Sequence, residues 1–139
     1  MYTVKLIPKE HLETILPFLQ LLNEKTEHAT LTQRLNDMRS TNYECVGVYD
    51  ADRLIGICGL WILHKHYVGK HIEPDNVIIL PEYRSKGIGD LMMNWIFEYA
   101  RVQGCIASEL NCYVNNHKGV KFWIEHGYRI IGFHMQKVL

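Results

Sequence analysis

The stretch Arg84-Ser85-Lys86-Gly87-Ile88-Gly89 limits what this chain can fold into more than any other. It follows the β-branched run Val77-Ile78-Ile79-Leu80, which Pro81-Glu82-Tyr83 brings to an end. It precedes a long segment in which Ile88, Leu91, Met92, Trp95, Ile96, Tyr99 and Val102 recur with a helical period. A strand therefore feeds a helix through one tight loop. Two glycines one residue apart allow the sharp turn and clear side chains from the helix mouth. The first N–H groups of a helix have no intrahelical acceptor, and the helix dipole adds partial positive charge there. Arg84 and Lys86 add full charges, so the loop has the physics of a pyrophosphate cradle. A P-loop is excluded, because Lys86 precedes the glycine and no Ser or Thr follows it. A dinucleotide fingerprint is excluded, because Met92 stands where the third glycine belongs. A glycine-containing turn that binds nothing is the alternative left open.

The remaining pattern describes a mixed α/β chain. Residues 2–7 read as a first strand, and Pro8 opens a helical stretch with Leu12, Ile15, Leu16, Leu19 and Leu22 on one face. Pro17 is expected to kink or divide that stretch. Thr30 and Gln33 form a capping-box pattern before a short second helix carrying Leu31, Leu35 and Met38. Residues 44–49 and 54–63 form a β-hairpin around the turn 50–53. The second of these strands is apolar on both faces, which places it centrally in a sheet. Its Gly56 and Gly59 suggest close backbone approach. A histidine-rich loop holding His64, His66 and His71 follows, then a strand over 74–80, the long helix to Gly104 and a strand over 106–114. A last helix, capped by Asn115 or Asn116, ends at Gly127, and two closing strands cover 128–133 and 134–138.

Composition narrows the function. The 139 residues suffice for one domain spanning 1–139. Fifteen Lys and Arg balance fifteen Asp and Glu, which leaves no cationic surplus for nucleic acid or for an anionic membrane. Lys5, Lys9, Glu10 and Glu13 interrupt any signal-peptide core, so a cytoplasmic location is expected. Cys45, Cys58, Cys105 and Cys112 lie far apart in apolar stretches and read as free buried thiols. The histidine loop offers no cysteine or carboxylate at ligand spacing. It is read as solvated, with no metal.

Two motifs point to a family. The segment from Val77 through Arg84-Ser85-Lys86-Gly87-Ile88-Gly89 resembles the acetyl-CoA-binding segment of the GNAT superfamily of N-acetyltransferases, with its [RQ]-x-x-G-x-[GA] pattern. About thirty residues later, Asn116, Gly119, Phe122-Trp123 and Gly127-Tyr128 resemble that family's N-x-x-A-x-x-[FL]-Y-x-x-x-G-F motif. The element order β-α-α-β-β-β-α-β-α-β-β also matches, and the resemblance is closest over residues 75–128. It implies a mixed sheet splayed between its fourth and fifth strands. Acetyl-CoA is the implied co-substrate. Ser85, Lys86, Gly87, Ile88, Gly89 and Asp90 would wrap its pyrophosphate after Arg84. The backbone of Val77, Ile78 and Ile79 would pair with the pantetheine arm, and Asn116 would hydrogen-bond the pantetheine or phosphate region. Asp90 is unusual beside a diphosphate, and first-turn helix stabilisation explains its side chain better.

The implied reaction is direct attack of an amine on a thioester, in a ternary complex. An unshifted amine of pKa ~10.4 must lose a proton, at a cost of ~4 kcal/mol near neutral pH, so a base is needed. Trp123 stands where the family has a tyrosine donor; an indole cannot protonate a thiolate usefully, though it can line the cofactor cleft. Asn111 stands where some relatives carry a glutamate base. Asp75 and Glu73 remain as bases, with Asp75 aligning better, and Tyr113 is the substitute donor. A small-molecule or peptide amine is the expected acceptor. A non-catalytic acyl-CoA sensor or interaction domain on the same fold is the competing reading. Phe133, Met135, Val138 and Tyr99 are candidates for a homodimer contact.

Overall fold

Alternating apolar side chains build a five-stranded sheet of order β1-β2-β3-β4-β5. Its strands are β1 (Tyr2–Leu6), β2 (Glu44–Asp50), β3 (Arg53–Lys65), β4 (Gly69–Ile79) and β5 (Ala107–Ser108). The structure is a computed structural model and describes residues 1–139. The first four strands are antiparallel to their neighbours, while β5 lies parallel to β4. β3 is central, as its two apolar faces require. Gly59 is needed there, because a Cβ would run into the Tyr43 ring and the Asn76 side chain.

Helices cover both faces. A 3-10 helix (Lys9–Ile15), α1 (Leu16–Leu22) and α2 (His28–Arg39) bury Leu12, Ile15, Phe18, Leu19, Leu31 and Leu35 against Tyr43, Cys45, Ile57 and Ile78. On the other face, α3 (Ile88–Val102) sets Ile88, Met92, Met93 and Ile96 against Val46, Val48, Ile55 and Leu60. Trp123 of α4 (His117–Glu125) joins that second core. Pro17 divides the first helical stretch as expected: it sits in the first turn of α1, where a missing N–H costs nothing.

Several local expectations fail. The Thr30–Gln33 box does not cap α2, which starts at His28 after Glu27 with no side-chain cap. The apolar face of Leu31 and Leu35 is served by beginning the helix one turn earlier, and Leu31 N–H already bonds Glu27 C=O at 3.1 Å. The histidine-rich loop is mostly strand. His64 pairs with Lys70 and Leu63 with His71, so the β3–β4 hairpin runs almost to its tip. Residues 128–139, expected as two strands, have no partner strand within the chain. A strand exists only where a neighbour accepts its backbone hydrogen bonds; for the same reason the strand expected over 106–114 is reduced to β5, two residues long.

Two irregularities of β4 shape the site. Asn76 and Val77 together oppose Cys58, since Ile57 pairs with Ile78 and Gly59 with Asp75. This is a β-bulge, and Asn76 takes φ +38 within it. The side-chain amide of Asn76 holds the conformation by exchanging hydrogen bonds with the buried Tyr43 hydroxyl at 3.1 and 3.2 Å. The second irregularity is a fork. β5 meets β4 only at His71–Ala107 and Ile72–Ser108, and the last inter-strand bond is Glu109 N–H to Ile72 C=O at 3.0 Å. Beyond it, the β4 edge from Glu73 to Ile79 has no strand beside it.

Candidate active site

The cradle is made of backbone. Leu80 N–H closes β4 on Ile55 C=O, and a 3-10 turn (Pro81–Tyr83) swings the chain outward. Ser85 and Gly87 then take positive φ, +61 and +78, and α3 begins. The first helical bond is Leu91 N–H to Gly87 C=O at 3.1 Å. None of the six amides from Ser85 to Asp90 donates a hydrogen bond within the chain. Six consecutive free N–H groups at the mouth of a 15-residue helix form a concentrated anion-binding surface.

A pocket opens over these amides, lined by Ile79, Tyr83, Arg84, Ser85, Gly87, Ile88, Gly89, Asp90 and Phe122. Arg84 serves two ends: its Nε donates to Ile79 C=O at 3.1 Å and ties the loop to β4, while the rest of the guanidinium faces out. The Lys86 ammonium lies 5.4 Å from the centre of the Tyr83 ring, a cation–π contact that keeps it at the rim. Gly89 has no room for a side chain, because a Cβ would sit 2.8 Å from Phe122 Cε1. Asp90 turns its carboxylate to α4, where Oδ1 lies 2.8 Å from His126 Nε2. His126 Nδ1 in turn faces Phe122 C=O at 2.8 Å, so the two helices flanking the pocket are pinned together.

The second motif is divided between packing and capping. Asn116 is the N-cap of α4 and its Oδ1 accepts from Gly119 N–H at 3.1 Å, which leaves its amide Nδ2 free. Gly119 stands where the family pattern has alanine, and a Cβ there would require the Asn116 side chain to shift from its present position. Trp123 is buried between Phe122 and Tyr128, with ring centres 5.0 and 5.4 Å away, and does not line the pocket. Phe122 lines it instead. Phe122 and Tyr83 are the residues the sequence reading left out, although both stand inside the two motifs.

Chemistry-bearing side chains gather at the fork. His71, Glu73 and Asp75 share one face of β4. His71 is fully buried; Nε2 lies 2.8 Å from Glu73 Oε2 and Nδ1 lies 3.1 Å from Gly69 C=O. Glu109 Oε1 is 3.9 Å from the same Nε2 and accepts from Tyr67 Oη at 2.6 Å. The expectation that no carboxylate accompanies these histidines is therefore corrected. Ligand-capable atoms of His71, Glu73 and Glu109 lie within 4.8 Å of one another, although protein partners already occupy both imidazole nitrogens. Asp75 accepts from Trp61 Nε1 at 3.1 Å and from Asn76 N–H at 2.8 Å. Tyr113 lies on the irregular segment after β5, with its side chain open to solvent. Tyr128 is half-buried: its Oη lies 2.6 Å from Ser108 Oγ, and desolvation pushes its ionisation up to about 12.

Comparison with known proteins decides the lineage. Residues 11–128 match the acetyltransferase (GNAT) family. The chain belongs to that family. An aminoalkylphosphonate N-acetyltransferase from Salmonella typhimurium is 26% identical over 87 residues, 62% of this chain. That match spans only 56% of the relative's length. Glucosamine-6-phosphate N-acetyltransferase from Arabidopsis thaliana superposes with a TM-score of 0.72 at 16% identity, covering 99% of this chain and 98% of the other. A Trypanosoma brucei acetyltransferase gives 0.76 at 21% identity over the full length of both chains. AAC(6')-Iy in complex with the bisubstrate analogue CoA-S-monomethyl-acetylneamine gives 0.79 at 14% identity, covering 99% of each. These likenesses confirm a GNAT fold with its mixed, forked sheet. No helix of this GNAT protein is long and apolar enough to cross a membrane.

Proposed function

We propose that this protein is an N-acetyltransferase that moves an acetyl group from acetyl-CoA to a small primary amine by direct attack in a ternary complex. The observation that carries the reading is the continuity of two unsatisfied backbone surfaces. The six free amides of 85–90 suit a diphosphate, and the open edge of β4 starts beside them and runs back to the fork. A ligand with a diphosphate at one end and an amide-bearing arm would satisfy both, the arm pairing with Val77, Ile78 and Ile79 as an added strand would. Arg84 and Lys86 would balance the phosphate charge, and the free Nδ2 of Asn116 would reach the ligand from α4.

The thioester then lies near the bulge, beside Asp75 and Glu73. The amine nitrogen attacks the carbonyl carbon, the C–S bond breaks with its electrons left on sulfur, and the amine proton passes to a carboxylate. Asp75 is the proposed base; Glu73, held by His71, is the second carboxylate on that face. Tyr113 is the proposed donor to the departing thiolate. Glu73, Asp75 and Glu109 favour a cationic acceptor, and the amine substrate in the Salmonella relative's name supports a small one. Four free cysteines suit the cytoplasm as working compartment.

The burial of Trp123, which removes it from the chemistry, supports a second reading: an acyl-CoA-binding module without turnover. One experiment separates the two. Thiol release from acetyl-CoA is followed across a panel of small amines, with Asp75→Asn and Glu73→Gln alongside. Turnover with at least one amine, reduced at least tenfold by one of these variants, supports the transferase. Saturable binding with no thiol release on any amine supports the module.

A further inference from the structure

Asp90 works against the occupant proposed for the cradle. It lines the pocket beside the six free amides, where its carboxylate would meet a diphosphate as a like charge. Its partner shows how the conflict is resolved. His126 is the C-cap residue of α4, its side chain 13% exposed against 71% for Asp90. Its Nδ1 lies 2.8 Å from Phe122 C=O, and its Nε2 lies 2.8 Å from Asp90 Oδ1. A carbonyl oxygen can only accept, so Nδ1 carries a proton. An ionised carboxylate can only accept, so Nε2 carries one too. The ring in this arrangement is an imidazolium. The C-terminal end of the α4 dipole and the Phe122 ring, 4.2 Å away between centres, both favour that charge.

The other charged groups nearby are engaged elsewhere or open to solvent. Glu125, next to His126 on α4, pairs with Lys121 at 3.8 Å. Arg84 and Lys86 of the adjoining loop are held at Ile79 C=O and at the Tyr83 ring, and Arg129, past the end of α4, is exposed. We propose that His126 is a positioning residue for the cofactor: its proton cancels the Asp90 charge and holds that carboxylate against α4, away from the diphosphate. The proposal rests on the reading of residues 85–90 as the diphosphate seat. When the ring loses its proton, Nε2 turns a lone pair toward the carboxylate, the pin opens, and an uncompensated negative charge is left at the mouth of α3. Acetyl-CoA binding is thereby linked to a proton. It is tightest with the ring protonated and weakens as pH rises through the histidine range.

Calorimetric titration of the intact chain with acetyl-CoA at about pH 6 and about pH 8.5 tests this. Affinity should fall at least about threefold between the two, and by less at high salt. Asp90→Asn keeps the backbone amide, and its side-chain amide can donate to the neutral ring, so the pin survives without charge. It should bind more tightly than the unaltered chain at about pH 8.5 and retain only the pH response of the ligand's own phosphates. His126→Gln still donates to Asp90 without neutralising it, and should bind weakly at both pH values. His126→Lys, whose charge does not titrate in this range, should restore binding at about pH 8.5. A fall of less than about threefold in the unaltered chain, or an equal fall in Asp90→Asn or His126→Gln, would overturn the proposal and leave the cradle standing. No binding of acetyl-CoA by any of these proteins at either pH would overturn both.

Discussion

His71 Nε2 lies 2.8 Å from Glu73 Oε2, two residues further along the same strand, where β4 and β5 separate. The imidazole is fully buried while the carboxylate reaches the open side of the fork, so the ring fixes the carboxylate from behind. Replacing His71 with Leu leaves Glu73 and Glu109 without the ring between them. The expected loss is about 1–3 kcal/mol in urea unfolding. His71→Gln, which can still donate to Glu73, should lose less than half as much. A loss under about 0.5 kcal/mol for His71→Leu, the level of an ordinary surface change, would contradict this role.

The contact of Gly89 with Phe122 gives a prediction about the cradle. Gly89→Trp must either displace Phe122 or fill the pocket, and both outcomes close the mouth of α3. Affinity for acetyl-CoA is expected to fall at least a hundredfold, about 2.7 kcal/mol, in calorimetric titration. The thermal midpoint without ligand should fall as well, since Phe122 must shift, while an unchanged far-ultraviolet circular dichroism spectrum shows that the fold is kept. Unchanged affinity would place the ligand elsewhere.

Arg84→Ala and Lys86→Ala separate two kinds of charge. Lys86 touches only the Tyr83 ring, so its loss should weaken binding roughly tenfold, with an effect that shrinks at high salt. Arg84 also fixes the loop through Ile79 C=O. Its loss should weaken binding more, and added salt should remove less of the difference. Equal effects with equal salt dependence would show that the Ile79 tie contributes nothing.

The buried thiols, together with the buried Tyr43 phenol, lower stability at alkaline pH. Burial pushes Cys45 up from 9.0 to about 12 and raises Cys58 well above 9.0. Above pH 9 the unfolded chain sheds protons that the folded chain keeps. Stability is thus complete below that pH and falls as pH rises toward 12, by up to about 1.4 kcal/mol per pH unit for each thiol. Denaturant unfolding at about pH 8 and about pH 10.5 should show this decline, and Cys45→Ala should flatten it. In the native state, a thiol reagent should react readily with Cys105 and Cys112 and not with the two buried cysteines.

The cradle was legible in the sequence because it is made of main chain. Gly87 and Gly89 mark a turn and a close approach, and the periods on either side identify strand and helix without any knowledge of tertiary contacts. The bulge at Asn76 was not legible, since it depends on Tyr43, thirty-three residues away, reaching across β3 at Gly59 to hold the amide. His71 was misread for a similar reason. His71, Glu73 and Asp75 alternate as a polar face does, and a polar face is read as solvated, but the start of β5 covers its first member. The two closing strands were expected from an apolar pattern alone, and a pattern specifies a strand only when a neighbouring edge is available.

The claim at the centre of this account is that the free amides at the start of α3 grip a diphosphate. Titration calorimetry of the intact chain with acetyl-CoA, set beside acetyl-pantetheine, which has the same arm and thioester without the diphosphate, tests it most directly. Saturable one-to-one binding of acetyl-CoA in the micromolar range, with acetyl-pantetheine at least a hundredfold weaker, is the predicted result. No saturable heat with acetyl-CoA, or equal affinity for the two ligands, would contradict it.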